Sequence, residues 1–230
     1  MVDFRELRWV REPRQARSRE TLDRILDAAE ALVAEKGFED ATVAEIVRRA
    51  DSSVGAFYAR FRDKDGLLYA LYDRYLEQAI ATADEALDPA RWEGAEAHEL
   101  LSSVVEFLVH IFREKGGLIR AFVVRNHVDA EFRARQARLS HYVSEKLGRL
   151  LLERRERIGH PRPERAVPFG LSMLFSTLED SVLFGETRSR AQSLSDADLV
   201  AELTRACLAY LGVATASTRP GGNPSQGSPA

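Results

Sequence analysis

The chain has 230 residues, 45% of them apolar, which is enough for a packed core in a small first domain and a larger second one. Lys and Arg (33) nearly balance Asp and Glu (36), and the formal net charge of −3 excludes a chain that meets nucleic acid through bulk charge; such a surface must be a local patch. A lone cysteine, Cys207, excludes an internal disulfide, and with no uninterrupted apolar run of ~18 residues and no apolar N-terminal leader the chain is expected to be cytoplasmic, without a membrane partner.

Residues 1–16 read as a basic flexible arm. Arg5, Arg8, Arg11, Arg14, Arg17 and Arg19 recur every two or three positions, which suits phosphates or a minor groove. It equally suits a solvated tail diluted by Asp3, Glu6 and Glu12. Leu22, Ile25, Leu26, Ala29, Leu32 and Val33 then follow helical spacing up to a stop at Gly37.

Thr42 and Glu45 have the spacing of a capping box, which predicts a short helix from Val43 with Val43, Ile46, Val47 and Ala50 on its buried face. Asp51-Ser52-Ser53 ends it, and Ser53 is placed to cap a second helix, Val54–Phe61, that buries Phe57 and Phe61. The other side of that helix shows Gly55, Ala56, Ala59 and Arg60, small residues plus one cation, so its backbone can approach base edges in a major groove. Two short helices about a tight polar turn make a helix-turn-helix, although the spacing alone fits an ordinary helical hairpin as well. Charge favours the former: Arg48, Arg49, Arg60, Arg62 and Lys64 face only Asp51 and Asp63, a net +3 in a chain of net −3. Asp63 can cap the next helix, which puts Lys64 in its first turn, a poor place for a cation unless it grips a phosphate with the helix-start amides.

Further helical patterns run over about 66–87, 96–114, 118–128, 131–158, 164–185 and 196–212, with breaks at Asp88-Pro89, Gly116-Gly117, His160–Pro163 and Arg188–Ser195. Leu139, Val143, Leu147 and Leu150 mark one face of the 131–158 segment, with Arg133, Arg135 and Arg138 on a solvated one. The 164–185 segment is apolar nearly all round and must be covered on both sides, for which a symmetry mate together with the 196–212 helix would serve. Residues 214–230, rich in Ser, Thr, Pro, Gly and Asn, read as a disordered tail. The expected fold class is all-α.

Polar groups embedded in apolar helix suggest a ligand cavity: Glu106, His110, Arg125, Asn126, His127 and Glu179, among Phe107, Phe112, Phe122 and Phe175. The candidate ligand contacts are Phe107, His110, Phe122, Asn126, Phe175 and Glu179, though each singly also fits an ordinary helix residue with its hydrogen bonds met. No phosphate loop, nucleophile elbow or zinc motif is present, so no catalytic residue, cofactor or metal is assigned. A helical-bundle enzyme with a metal near Glu106 and His110 and a constitutive DNA binder without ligand response are the alternatives.

Residues 17–68 resemble the N-terminal domain of the TetR/AcrR family of transcriptional regulators over a fifth to a quarter of the chain. The matching residues are Ile25–Ala29, Glu35–Phe38, Thr42–Ile46 and, above all, Tyr58-Ala59-Arg60-Phe61 followed by Lys64 and Leu67. The resemblance implies a three-helix DNA-binding domain, 17–65, and a helical ligand-binding and dimerisation domain, 66–213. It implies that Thr42, Tyr58 and Lys64 contact phosphates of double-stranded DNA, that Ser53, Val54, Gly55, Ala56 and Ala59 lie in or near the groove, and that Arg60 reaches backbone or a guanine edge. A half-buried Tyr58 ring with its hydroxyl in water is the alternative for that residue. The function implied is a repressor released by a small-molecule effector, its homodimer placing two reading helices about 34 Å apart on a palindrome. Two departures stand out. Asp51 and Ser52 occupy the turn where the family usually has glycine and a small apolar residue, and Asp51 tolerates the left-handed backbone better than most. Val54 and Ala56 replace polar side chains, shifting specificity toward thymine methyls, DNA shape and the arginine arm.

Overall fold

The computed structural model describes residues 16–184 and 194–214. The arm up to residue 15 and the tail from residue 215 lie outside the described residues, so neither the expected arginine arm nor the expected disordered tail is addressed. Among the described residues the order is α1 (Ala16–Lys36), α2 (Val43–Arg49), α3 (Val54–Tyr58), α4 (Lys64–Ala86), α5 (Ala97–Glu114), α6 (Gly116–Val128), α7 (Ala130–Leu152), α8 (Pro163–Phe184) and α9 (Asp196–Leu211). Short 3-10 turns occupy Pro89–Trp92 and Arg155–Arg157.

Helix ends follow from nearby side chains. Asp63 opens α4 by accepting from the Gly66 amide at 2.8 Å, and Ser195 opens α9 by accepting from Asp198 at 3.1 Å. Gly212, at φ 66°, closes α9 with two bonds, its own amide to Ala209 and that of Val213 to Leu208. Two expectations are corrected. Gly116-Gly117 is no gap between helices, because only Lys115 separates α5 from α6. The helix expected over 131–158 ends at Leu152. Just beyond it the Arg154 guanidinium turns inward to the carbonyls of Ala95 (2.8 Å), Leu150 (2.7 Å) and Trp92, tying the end of α7 to the α4–α5 connection.

Two apolar clusters form. One joins α1 to α4 with part of α6 and α7: Ile25, Ile46, Phe57, Phe61, Leu71 and Tyr72 meet Leu118, Phe122, Phe132 and Leu139. The other packs the far end of α4 with α5, the remaining faces of α6 and α7, α8 and α9. α6 therefore serves both, giving Leu118 and Phe122 to the first and Ile119 and Val123 to the second. At the seam the rings of Tyr72, Phe122 and Phe132 sit 4.5 to 5.7 Å apart, each pair worth about 0.5–1.5 kcal/mol beyond area burial. Arg135, expected on a solvated face, is instead only 8% exposed. It falls on the same helical stripe as Phe132 and Leu139, and its guanidinium meets Glu131 at 3.2 Å and Asp73 at 3.7 Å.

α8 is two-sided. Val167, Leu171, Leu174 and Leu178 are buried in the second cluster, whereas Phe169 (56%), Met173 (37%) and Phe184 (53%) stand exposed. By length and a mean hydropathy of 1.2 this helix could also span a membrane, but its buried stripe belongs to the core of a helical bundle. Cys207 is buried, and that burial pushes its thiol pKa up, away from reactivity.

Candidate nucleic-acid interface

The capping box at α2 forms as spaced. The Thr42 hydroxyl accepts from the Glu45 amide at 3.3 Å and donates to its carboxylate at 2.6 Å, while the Thr42 amide donates to that carboxylate at 3.1 Å. Lys36 from the end of α1 adds two bonds at 2.7 Å, and with Thr42 it holds the Glu45 carboxyl down at a pKa of about 2. α2 then ends in a Schellman turn: Ser52 N–H donates to Val47 at 2.9 Å and Asp51 N–H to Arg48 at 3.3 Å. The residue that carries the left-handed step is Asp51, at φ 45°, so the turn keeps its usual geometry without a glycine.

Ser53 opens α3 by accepting from the Ala56 amide at 3.1 Å. The helix is shorter than expected, ending at Tyr58 rather than Phe61, and Arg60 and Phe61 donate to the Phe57 carbonyl in a closing turn. Phe57 and Phe61 are both buried, 5.0 Å apart, which fixes the inner side of α3. Its outer side carries Ser53, Val54, Gly55, Tyr58 and Ala59, all exposed, with Ala56 half-buried. The Tyr58 ring is 56% exposed and rests edge-on against Phe57, so it projects rather than packs. Arg60 anchors one guanidinium nitrogen on the Ala56 carbonyl at 2.8 Å.

Lys64 sits in the first turn of α4, as expected from Asp63, and the structure supplies a partner that sequence spacing did not reveal. Its ammonium donates to the Glu39 carbonyl at 2.8 Å and lies 4.5 Å from the Phe38 ring, tying α4 to the α1–α2 loop. Around it Arg48 and Arg62 stand exposed, while Arg49 is drawn onto Glu35 at 2.7 Å.

The expected ligand contacts are spread widely. Phe107 and His110 are exposed on α5, His110 lying 3.4 Å from Glu114. Phe122 is enclosed in the aromatic seam. Asn126 is half-buried with its Oδ1 buried and unpartnered among the described residues. Phe175 packs against the second cluster, and one turn on, the half-buried Glu179 has its pKa raised by desolvation, opposed by nearby His127. Glu106 is exposed, and no group of three metal-ligating side chains gathers among the described residues.

None of the six lines a cleft of about 890 Å³ that runs, among the described residues, between α1, the α1–α2 loop and the start of α4 on one side and α6 with the ends of α5 and α8 on the other. Arg125, noted in the sequence as a polar group in apolar helix, crosses this cleft: it bonds Asp65 at 2.9 Å, Asp129 at 3.3 Å and the Tyr69 hydroxyl at 3.4 Å, and Tyr69 in turn donates to Asp129. Hydrogen bonds with Tyr69 and then Asp65 raise the Arg125 pKa, so its charge is secure. Of the residues noted for a cavity in the sequence, Phe112 and Arg125 line this cleft, and Gly117 lets α1 approach α6, since a Cβ there would lie 2.7 Å from the Val33 carbonyl oxygen.

Comparison with known proteins agrees with this geometry. Residues 25–71 match the model of the family described as bacterial regulatory proteins, tetR family. The chain is 49% identical over 59 residues to the regulator BetI of Serratia proteamaculans and 38% over 60 residues to the A-factor receptor protein of Streptomyces griseus, in each case 26% of this chain. A fatty acid metabolism regulator of Bacillus subtilis is 31% identical over 81 residues, 35% of this chain. These matches span 29%, 22% and 40% of the relatives' own lengths. The fold carries much further. A tetR-family regulatory protein from Rhodococcus superposes with a TM-score of 0.65 at 22% identity, covering 85% of this chain and 98% of that one. A TetR regulator from Haloarcula marismortui does so with a TM-score of 0.63 at 17%, covering 84% and 97%. The family match is thus confined to residues 25–71, and beyond them the likeness to solved TetR regulators is one of fold.

Proposed function

We propose that the chain is a DNA-binding transcriptional repressor in which residues 17–65 read a palindromic operator and residues 66–213 dimerise and respond to a small molecule. The observation that carries this reading is the outer face of α3: Val54, Gly55, Tyr58 and Ala59 are exposed on a helix whose inner side is pinned by buried Phe57. In this reading Ser53, Val54, Gly55, Ala56 and Ala59 approach the groove, and Arg60 reaches backbone or a guanine edge. Tyr58 and Lys64 bind phosphate, Lys64 with the two ammonium protons not engaged by Glu39. The Thr42 hydroxyl joins them by releasing Glu45, its only acceptor for a single donor proton.

A second copy covers the exposed Phe169, Met173 and Phe184 face of α8, alongside α9, in a two-fold dimer. Within the body, the candidate effector contacts Asn126 and Glu179, on α6 and α8, combine partial burial with polarity, and Phe175 adds an apolar surface one turn before Glu179. The effector releases DNA by preferring a conformer with differently spaced reading helices, so its differential affinity sets the size of the response. Such a protein acts in the cytoplasm, where its DNA is, and carries out no reaction of its own. Lys64→Ala is expected to weaken binding to every DNA sequence and to lower the salt slope by about one unit. Affinity and slope both unchanged in a fluorescence-anisotropy salt series would remove Lys64 from the interface.

A further inference from the structure

Once placed, the cations between residues 48 and 64 are no longer equivalent. Arg49 is bonded to Glu35 at 2.7 Å, Arg60 to the Ala56 carbonyl at 2.8 Å and Lys64 to the Glu39 carbonyl at 2.8 Å. Arg62 is held far more loosely. Its side chain is 95% exposed, and its Nε lies 4.0 Å from Asp63, whose other oxygen caps α4. Arg48 is exposed, and among the described residues no acid pairs with it. Of the acids one turn away, Glu45 is bonded to Lys36 and Thr42, and Asp51 stands exposed in the turn.

The geometry of α2 explains why neighbouring arginines differ. Ile46, Val47 and Ala50 form its buried face. Glu45 and Arg49, four residues apart, share one flank, and both are bonded to the end of α1, through Lys36 and Glu35. Ala44 and Arg48, also four apart, share the opposite flank, and both are exposed. Arg48 therefore precedes the turn into α3 with its charge unmet, and Arg62 follows the closing turn with its charge nearly so. α3 itself has only 5 residues, about 7.5 Å at 1.5 Å per residue. The major groove is about 12 Å wide. A helix that short in the groove leaves the chain at each of its ends beside a phosphate strand.

We infer that Arg48 and Arg62 bind separate DNA phosphates, one at each end of α3, and that Arg49 binds none. The assignment rests on the DNA-binding reading above and adds to the contacts named there. Counterion release counts the cations that a phosphate newly neutralises, and Arg49 would first have to give up Glu35. Neither contact touches a base edge, so both act on every sequence alike.

The test is a fluorescence-anisotropy salt series with the full chain and a duplex of mixed sequence. Arg48→Gln and Arg62→Gln are each expected to lower the slope of log affinity against log salt by about one unit per protomer, and the double variant by about two. Arg48→Lys should restore the wild-type slope, since it keeps the charge, and Arg49→Gln should leave the slope unchanged. A slope unmoved by either single variant, a double variant no different from the singles, or an equal loss with Arg49→Gln would overturn the assignment. All three positions are exposed, and a slope lost through misfolding would not return with Arg48→Lys. A wild type that binds no duplex at low ionic strength would defeat the DNA-binding reading together with this one. A wild type that binds, with variants that keep its slope, would defeat the assignment alone.

Discussion

In α2 and α3 the helix ends are closed by groups within five residues: Thr42 with Glu45, Val47 with Ser52, Ser53 with Ala56. α6 has no such frame. Its N-cap, Lys115, makes no side-chain capping bond; instead its ammonium reaches Glu30, 85 residues away, at 2.7 Å, and Arg125 reaches Asp65, 60 residues away. Against the burial that would raise it, Lys115 and Arg74 hold the Glu30 carboxyl below its ordinary pKa, so this long-range tie is charged. The surface offered to a partner is thus shaped by short-range chemistry, and the element that positions that surface is held by tertiary contacts. A substitution in the first region should act locally, and one in the second should loosen the joint between the two clusters.

Adjacent glycines test this contrast most strongly. Gly117→Ala, with backbone 2.7 Å from its new methyl, is expected to lower stability by about 1–3 kcal/mol in urea unfolding. Gly116→Ala, with nothing within 4 Å, should be neutral or stabilising by up to about 1 kcal/mol. Equal effects at the two positions would mean that the α1–α6 approach does not constrain the joint. In the locally framed region, Asp51→Gly should raise stability by about 1 kcal/mol, because glycine adopts the left-handed step without the Cβ penalty. A loss of stability there would show that the Asp51 side chain contributes more to the turn than its backbone strain removes.

A smaller effect belongs to Glu45. Its folded pKa is depressed from 4.5 to about 2, so the stability it contributes is present above pH 4.5 and is lost as the pH falls toward 2. Glu45→Gln should flatten the unfolding midpoint across that window, and an unchanged profile would mean that the Lys36 and Thr42 bonds do not persist in solution.

The same contrast explains what was legible in the sequence. Thr42, Glu45, Ser53 and Asp63 announce their caps because partner and cap lie three residues apart, and Asp51 was readable as a left-handed turn because it stands where the resembled family usually has glycine. The end of α7 was not readable, because Arg154 is drawn to carbonyls 59 and 62 residues away. Nor was the burial of Arg135, since three arginines in six residues look like a solvated face until Phe132 and Leu139 are seen to be in the core. The ligand expectation scattered because polar residues in apolar helices mark burial but not which helix faces which. Lys64 was placed correctly in its helix while its contact with Glu39, across 25 residues, stayed hidden.

Gly55 offers the most direct measurement of the central claim. On the outer face of α3 its nearest outside atom to a built Cβ is Ser53 Oγ at 3.9 Å, so a larger side chain fits the fold, while a carboxylate there would meet DNA phosphates. In nuclease protection of the chain's own upstream DNA at low ionic strength, the wild type should protect a discrete palindromic segment and Gly55→Glu, melting at the same temperature, should protect none. Protection retained by Gly55→Glu, or no protected segment with the wild type, would contradict the account.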